Sequence, residues 1–124
     1  MLATLIIKGR IPSKKNSKIM VCRGKYPMLL SSKAYTAWHT DASWQLKAQK
    51  PPQGIDHCEI HIKFYAPDMR KSDLTNKAES IMDLLVDNGV ITDDNWWVVK
   101  KITLEFMLKD KDPRAEIFLY TVAT

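Results

Sequence analysis

The sequence predicts a single α/β domain, with a mixed or largely antiparallel sheet and two main helices. Segments 3–11, 56–66, 96–108 and 114–122 are rich in β-branched and aromatic residues, several with alternating polarity. Segments 33–49 and 74–88 repeat their apolar residues at helical spacing, and no linker, internal repeat or low-complexity tract separates the two kinds. At 124 residues and 14.3 kDa the chain has the size of one domain, enough to bury roughly two-thirds of its extended surface.

Each element follows from local chemistry. "ATLIIKGRI" is an apolar strand that Pro12 ends, and "PSKKNSK" after it is a loop of turn formers and lysines. Its basic residues follow the apolar run, the reverse of a secretory leader. "KIMVCRGKYPMLL" reads as two short strands around a basic tip at Arg23-Gly24-Lys25. Ser32 is an N-cap for a helix over 33–49, with Tyr35, Trp38, Ala42 and Leu46 on its buried face, and Pro51-Pro52 stops it. In "DHCEIHIKFYA" Cys58, Ile60, Ile62 and Phe64 face one side, while His57, Glu59, His61 and Lys63 face the other. A second helix runs to about Asn88 with Gly89 just past its end. The last two strands are expected to pair as an antiparallel hairpin across "KDKDP", with Trp96 and Trp97 in the core or at an interface.

Composition narrows the classes of function. The longest apolar runs fall short of the ~18–20 residues that span a bilayer, so no membrane partner is expected. Cys22 and Cys58 have no metal-ligand spacing and suit a reducing cytoplasm. The net charge of +5 is divided: residues 1–50 carry ten Lys/Arg against Asp41 alone, whereas 51–124 carry nine against thirteen acids. A polyanion-binding half joined to an acidic site accounts for that division. Lys14, Lys15, Asn16, Lys18, Arg23, Lys25 and Lys33 are the candidate nucleic-acid contacts in the first half, and Arg70, Lys71, Asn76 and Lys77 in the second.

The acids concentrate in "DLTNKAESIMDLLVDNGVITDD", residues 73–94. Asp73 stands where the helix begins, so an N-cap explains it as well as a catalytic role does. Glu79, Asp83 and Asp87 fall within an arc of about 80° on the helix. Such i,i+4 like-charge pairs cost roughly 0.2–0.5 kcal/mol each, so something positive is expected nearby: the lysine-rich loop, a metal ion or counterions. Asp93 and Asp94 follow a short apolar segment and can converge on the start of the helix. Hard oxygen ligands from two chain segments are what Mg²⁺ takes, with Mn²⁺ as a substitute, and phosphodiester hydrolysis uses such an ion.

With these motifs in order, "GRIPSKKN", "SKAYTAW", "DLTN", "IMD" and "GVITDD", the chain resembles the RusA family of Holliday-junction resolvases over nearly its whole length. The resemblance implies a phage- or prophage-encoded homodimeric endonuclease that nicks four-way junction DNA in pairs, with Asp73, Asp83, Asp93 and Asp94 at acidic positions of the family pattern and, together with Glu79, as the expected metal ligands. Two positions depart from it. Thr75 stands where the family has a second catalytic Asp, and Glu79 where it has a Lys. Glu79 lies one turn beyond Thr75, and helix side chains lean toward the N-terminus. Its carboxylate can therefore stand in for the lost acid, giving Asp73, Glu79 and Asp94 as the catalytic set. Candidates for the missing cation are Lys77, Lys14, Lys15 and Lys18. The alternative implied by the same two departures is a junction- or duplex-binding protein without nuclease chemistry.

Overall fold

The computed structural model describes residues 1–13, 18–23 and 26–122, with 18–23 and 26–31 described by their backbone. The order of elements is β1 (Ala3–Lys8), β2 (Lys18–Arg23), β3 (Tyr26–Ser31), α1 (Lys33–Ala48), β4 (Cys58–Ala66), α2 (Leu74–Asp87), β5 (Val99–Lys109) and β6 (Arg114–Tyr120). β1, β6, β4 and β5 form one mixed sheet in that spatial order, and β2 and β3 pair antiparallel as a separate ribbon with Arg23 opposite Tyr26. The α/β class with two helices and a mixed sheet is as expected.

The expected hairpin between the last two strands does not form. β4 lies between them, antiparallel to β6 and parallel to β5, with Ile60, Ile62 and Phe64 opposite Ile102, Leu104 and Phe106. The burial patterns explain the preference. β6 alternates strictly, with Ala115, Ile117 and Leu119 buried, and so belongs inside the sheet, whereas most of β5 is exposed and suits an edge. A parallel β4–β5 pair needs a crossover, and α2 supplies it. α2 thereby lies on the sheet face at its β5 edge.

One face of the sheet is the core. Leu5, Ile7, Ile60, Ile62, Ile117 and Leu119 pack there with Leu46 of α1 and Ile81, Leu84 and Leu85 of α2. Each fully buried Leu or Ile contributes about 1.5–3 kcal/mol, and this outweighs the modest helix propensity of a segment holding Thr, Asn, Ser and Asp. Cys58 is also buried, as a reduced thiol whose ionisation burial pushes up. α1 begins as expected, with the Ser32 hydroxyl accepting the Tyr35 N–H at 3.1 Å. α2 ends on Gly89 at φ +71°, with the Val90 N–H on the Leu85 carbonyl and the Gly89 N–H on the Val86 carbonyl. That is the paired bonding of a Schellman turn.

The two edges of the sheet differ. Gln49 brackets Ile6 of β1, accepting its N–H at 2.8 Å and donating to its carbonyl at 2.6 Å. Gln45 does the same to Lys8 at 2.7 and 3.3 Å. These side-chain amides occupy the β1 edge as a neighbouring strand would. β5 has no such cover among the described residues.

Candidate active-site groove between α2 and β5

The sequence of α2 distributes its acids over two sides of the helix. Successive i,i+4 positions drift by about 40°, so from Thr75 to Asp83 the polar stripe turns about 80°. Thr75 and Glu79, with Ala78 and Met82, consequently line a groove of about 630 Å³ against Ile102 and Leu104 of β5, where Asp94 joins them from the loop before that strand. Two carboxylates and a hydroxyl from two separate chain segments thus meet in one open groove. Thr75, Glu79 and Asp94 are all exposed there.

Asp73 opens α2 as its N-cap residue by backbone geometry, with φ −77° and ψ 121°, but its carboxylate makes no capping bond. Instead Oδ2 accepts from the side-chain amide of Asn76 at 3.1 Å. Asn76 is one of two buried polar residues among those described, and its bond turns the Asp73 carboxylate away from the helix N–H groups. A simple capping role is therefore not what Asp73 performs, and its exposed carboxylate remains two residues before Thr75.

Asp93 organises the loop that delivers Asp94. Its carboxylate accepts the Asp94 N–H at 2.7 Å and the Asn95 side-chain amide at 2.9 Å. These bonds hold its acid strength above that of an ordinary Asp, the Asp94 N–H contributing most. Asn95 continues the turn, accepting from Trp97 N–H at 2.9 Å. The chain before it is anchored by a bridge between Ile91 and Ile55. Trp96 and Trp97 lie outside both strand and core, 79% and 70% exposed. The strand begins only at Val99 because Asp93 and Asn95 draw residues 93–98 into turns.

Asp83 is not brought to the groove. Its Oδ2 accepts the Tyr35 hydroxyl at 2.7 Å, on the side of α2 that meets α1. His39, one turn along α1, places Nε2 2.9 Å from Asp87 and 4.0 Å from Asp83. In this part of the helix the acidic stripe meets the His39 ring, not a lysine. Tyr35 is buried, and its ionisation is pushed far up, first by burial and then by the Asp83 carboxylate. Neither residue was picked out by the sequence as a partner of the stripe. The usable signal was the matched i,i+4 spacing of Tyr35/His39 with Asp83/Asp87 on two adjacent helices.

The basic candidates are dispersed. Lys14, Lys15, Asn16 and Lys25 lie outside the described residues, as do the side chains of Lys18 and Arg23. Lys33 is exposed at the start of α1. Lys77 donates to the Ile11 carbonyl at 2.6 Å, on the side of α2 away from Glu79, and so does not replace a cation in the groove. Burial, then the charge of Arg10, makes its ammonium easier to deprotonate than usual. Arg70 pairs with Asp68 at 3.0 Å, and Lys71 is exposed beside it.

The family model described as "Endodeoxyribonuclease RusA" matches residues 9–120. The crossover junction endodeoxyribonuclease RusA of Aquifex aeolicus (strain VF5) is 29% identical over 88 residues, covering 70% of this chain and 68% of the relative. The matched span contains β4, α2, the Asp93-Asp94 loop and the β5 edge together, and the chain belongs to the RusA family of endodeoxyribonucleases.

Proposed function

We propose that the protein is a Mg²⁺-dependent endonuclease that resolves four-way DNA junctions by paired nicks, acting as a homodimer in the cytoplasm. The observation that carries this reading is that Thr75, Glu79 and Asp94 line one groove between α2 and β5. Membership of an endodeoxyribonuclease family and the junction named in the Aquifex aeolicus relative support the substrate.

The donor set suits a hard cation. Glu79 and Asp94 line the groove with carboxylates and Thr75 with a hydroxyl, and the groove is open enough for waters and a phosphate; the proposal adds the exposed Asp73 carboxylate, two residues before Thr75, as a further donor. Mg²⁺ bound there would lower the pKa of water and stabilise the leaving oxygen, with Mn²⁺ able to substitute. The chain's own contribution is placement. Asn76 orients Asp73, the Asp93–Asn95 turn fixes Asp94, and Arg70, Lys71 and the lysines of the first half neutralise the DNA backbone. Glu79 restores the negative charge missing at Thr75.

The dimer reading rests on the contrast between the two sheet edges. β1 is covered by Gln45 and Gln49, while the β5 edge of the same sheet has no strand beside it. An open edge of eleven residues can pair with a second copy. The functional test is incubation with a synthetic four-way junction. Nicking that requires Mg²⁺ or Mn²⁺, with binding retained in EDTA, is the expected result. Binding without nicking at any metal concentration would leave a DNA-binding protein in place of a nuclease.

A further inference from the structure

A second cavity, of about 290 Å³, opens at the N-terminal end of α2. Its walls combine two chemistries. Phe64, Met69, Leu74 and Phe106 make an apolar interior, and Arg10, Arg70 and Lys71 form a cationic rim. Among the described residues Asp68 is the one acid there, and it is shared, 3.6 Å from Arg10 and 3.0 Å from Arg70. With Lys77 also in the wall, four cations face one carboxylate. An apolar peptide or a second apolar surface would leave that excess unmatched. A nucleotide matches both parts, with a flat base for the interior and a phosphate for the rim.

The cavity is placed to receive the strand that occupies the α2–β5 groove. Leu74 faces the cavity and Thr75, the next residue, faces the groove. On β5, Ile102 lines the groove and Phe106 the cavity, both on the same face and about 13 Å apart by strand rise. Just beyond Phe106 the register with β4 slips by one residue, and Leu108 takes a φ of +80°. Bulges of this kind re-aim a strand end beside a site. Phe106 is left 49% exposed, and Met69 69%. Together they leave apolar surface open at the cavity that a flat base would cover.

We propose that this cavity holds one unstacked nucleotide of the DNA strand bound in the α2–β5 groove, its base against Phe106 and Met69 and its phosphate on the Arg10, Arg70 and Lys71 rim. The proposal rests on the nuclease reading given above. Unstacking costs least where pairing is already disturbed, so the cavity would favour branch points over continuous duplex without reading a base sequence.

The test uses the full chain and four-way junctions carrying 2-aminopurine at single positions around the nick, bound in EDTA. One position should brighten on binding as its base leaves the stack. Phe106→Ala should abolish that brightening and weaken junction binding by roughly tenfold, as loss of one base–aromatic stack does, with duplex binding little changed. If Phe106→Ala lowers the melting temperature, Met69→Ala, on an exposed loop, should give the same loss. Three results would overturn the idea. In the first, no position brightens although wild type binds the junction and nicks it with Mg²⁺, which leaves the nuclease reading intact. In the second, Phe106→Ala turns a dimer into a monomer, which assigns the cavity to a subunit interface. In the third, wild type neither binds nor nicks the junction, which removes both readings.

Discussion

At the scale of single residues, the decisive contrast is between Asp73 and an ordinary N-cap. A cap carboxylate accepts backbone N–H groups, and removing it costs about 1 kcal/mol; the Asp73 carboxylate is bonded to Asn76 instead. Asp73→Asn should therefore leave the melting temperature nearly unchanged while junction nicking falls by roughly 10–100-fold, the scale seen for groups that support a metal site. A steep loss of thermal stability with normal nicking would make Asp73 structural. Asn76 belongs to the same unit. Asn76→Leu strands no charge in the core but releases Asp73, so it should raise the Mg²⁺ needed for half-maximal nicking.

At the scale of elements, α1 and α2 are joined by polar side chains at an otherwise modest contact, and this gives a pH signature. The Tyr35 hydroxyl donates to Asp83, and its ionisation in the folded protein lies above the ordinary 10.0. A raised value means the contribution is complete below pH 10.0 and is lost as pH rises beyond it, because the unfolded tyrosine ionises first. Tyr35→Phe should lower stability by about 1–3 kcal/mol near neutrality, and the gap between the two melting curves should narrow above pH 10.0. A constant gap would mean that folding does not raise the Tyr35 ionisation. Elements were largely legible in the sequence: Ser32 and Gly89 end their helices as capping chemistry predicts, and the alternation of β4 is borne out residue by residue. Pairing was not legible. Whether β5 joins β6 or β4 depends on which strands take the interior positions of the sheet, and the short "KDKDP" connection favoured the wrong neighbour. The site was legible in part. Spacing alone placed Glu79 and Asp83 together, but the 40° drift and the position of α1 set them on different faces.

At the scale of the molecule, charge and edges set the expected behaviour. Neutralising Arg70 and Lys71 should weaken binding to all DNA sequences and reduce the log–log salt slope by up to ~0.9 per lost phosphate contact; an unchanged slope would move the DNA surface elsewhere. Sedimentation should give twice the 14.3 kDa chain mass, since β5 ends the four-stranded sheet with no strand beside it. The central claim is that α2 carries chemistry on the side facing β5 and structure on the side facing α1. Single-turnover nicking of a four-way junction by Glu79→Gln and by Asp83→Asn tests it most directly. Glu79→Gln should slow nicking by roughly 10–100-fold and raise its Mg²⁺ requirement, while Asp83→Asn, which still offers Tyr35 an acceptor, should nick at near wild-type rates. Wild-type rates for Glu79→Gln with a disabled Asp83→Asn would contradict the account.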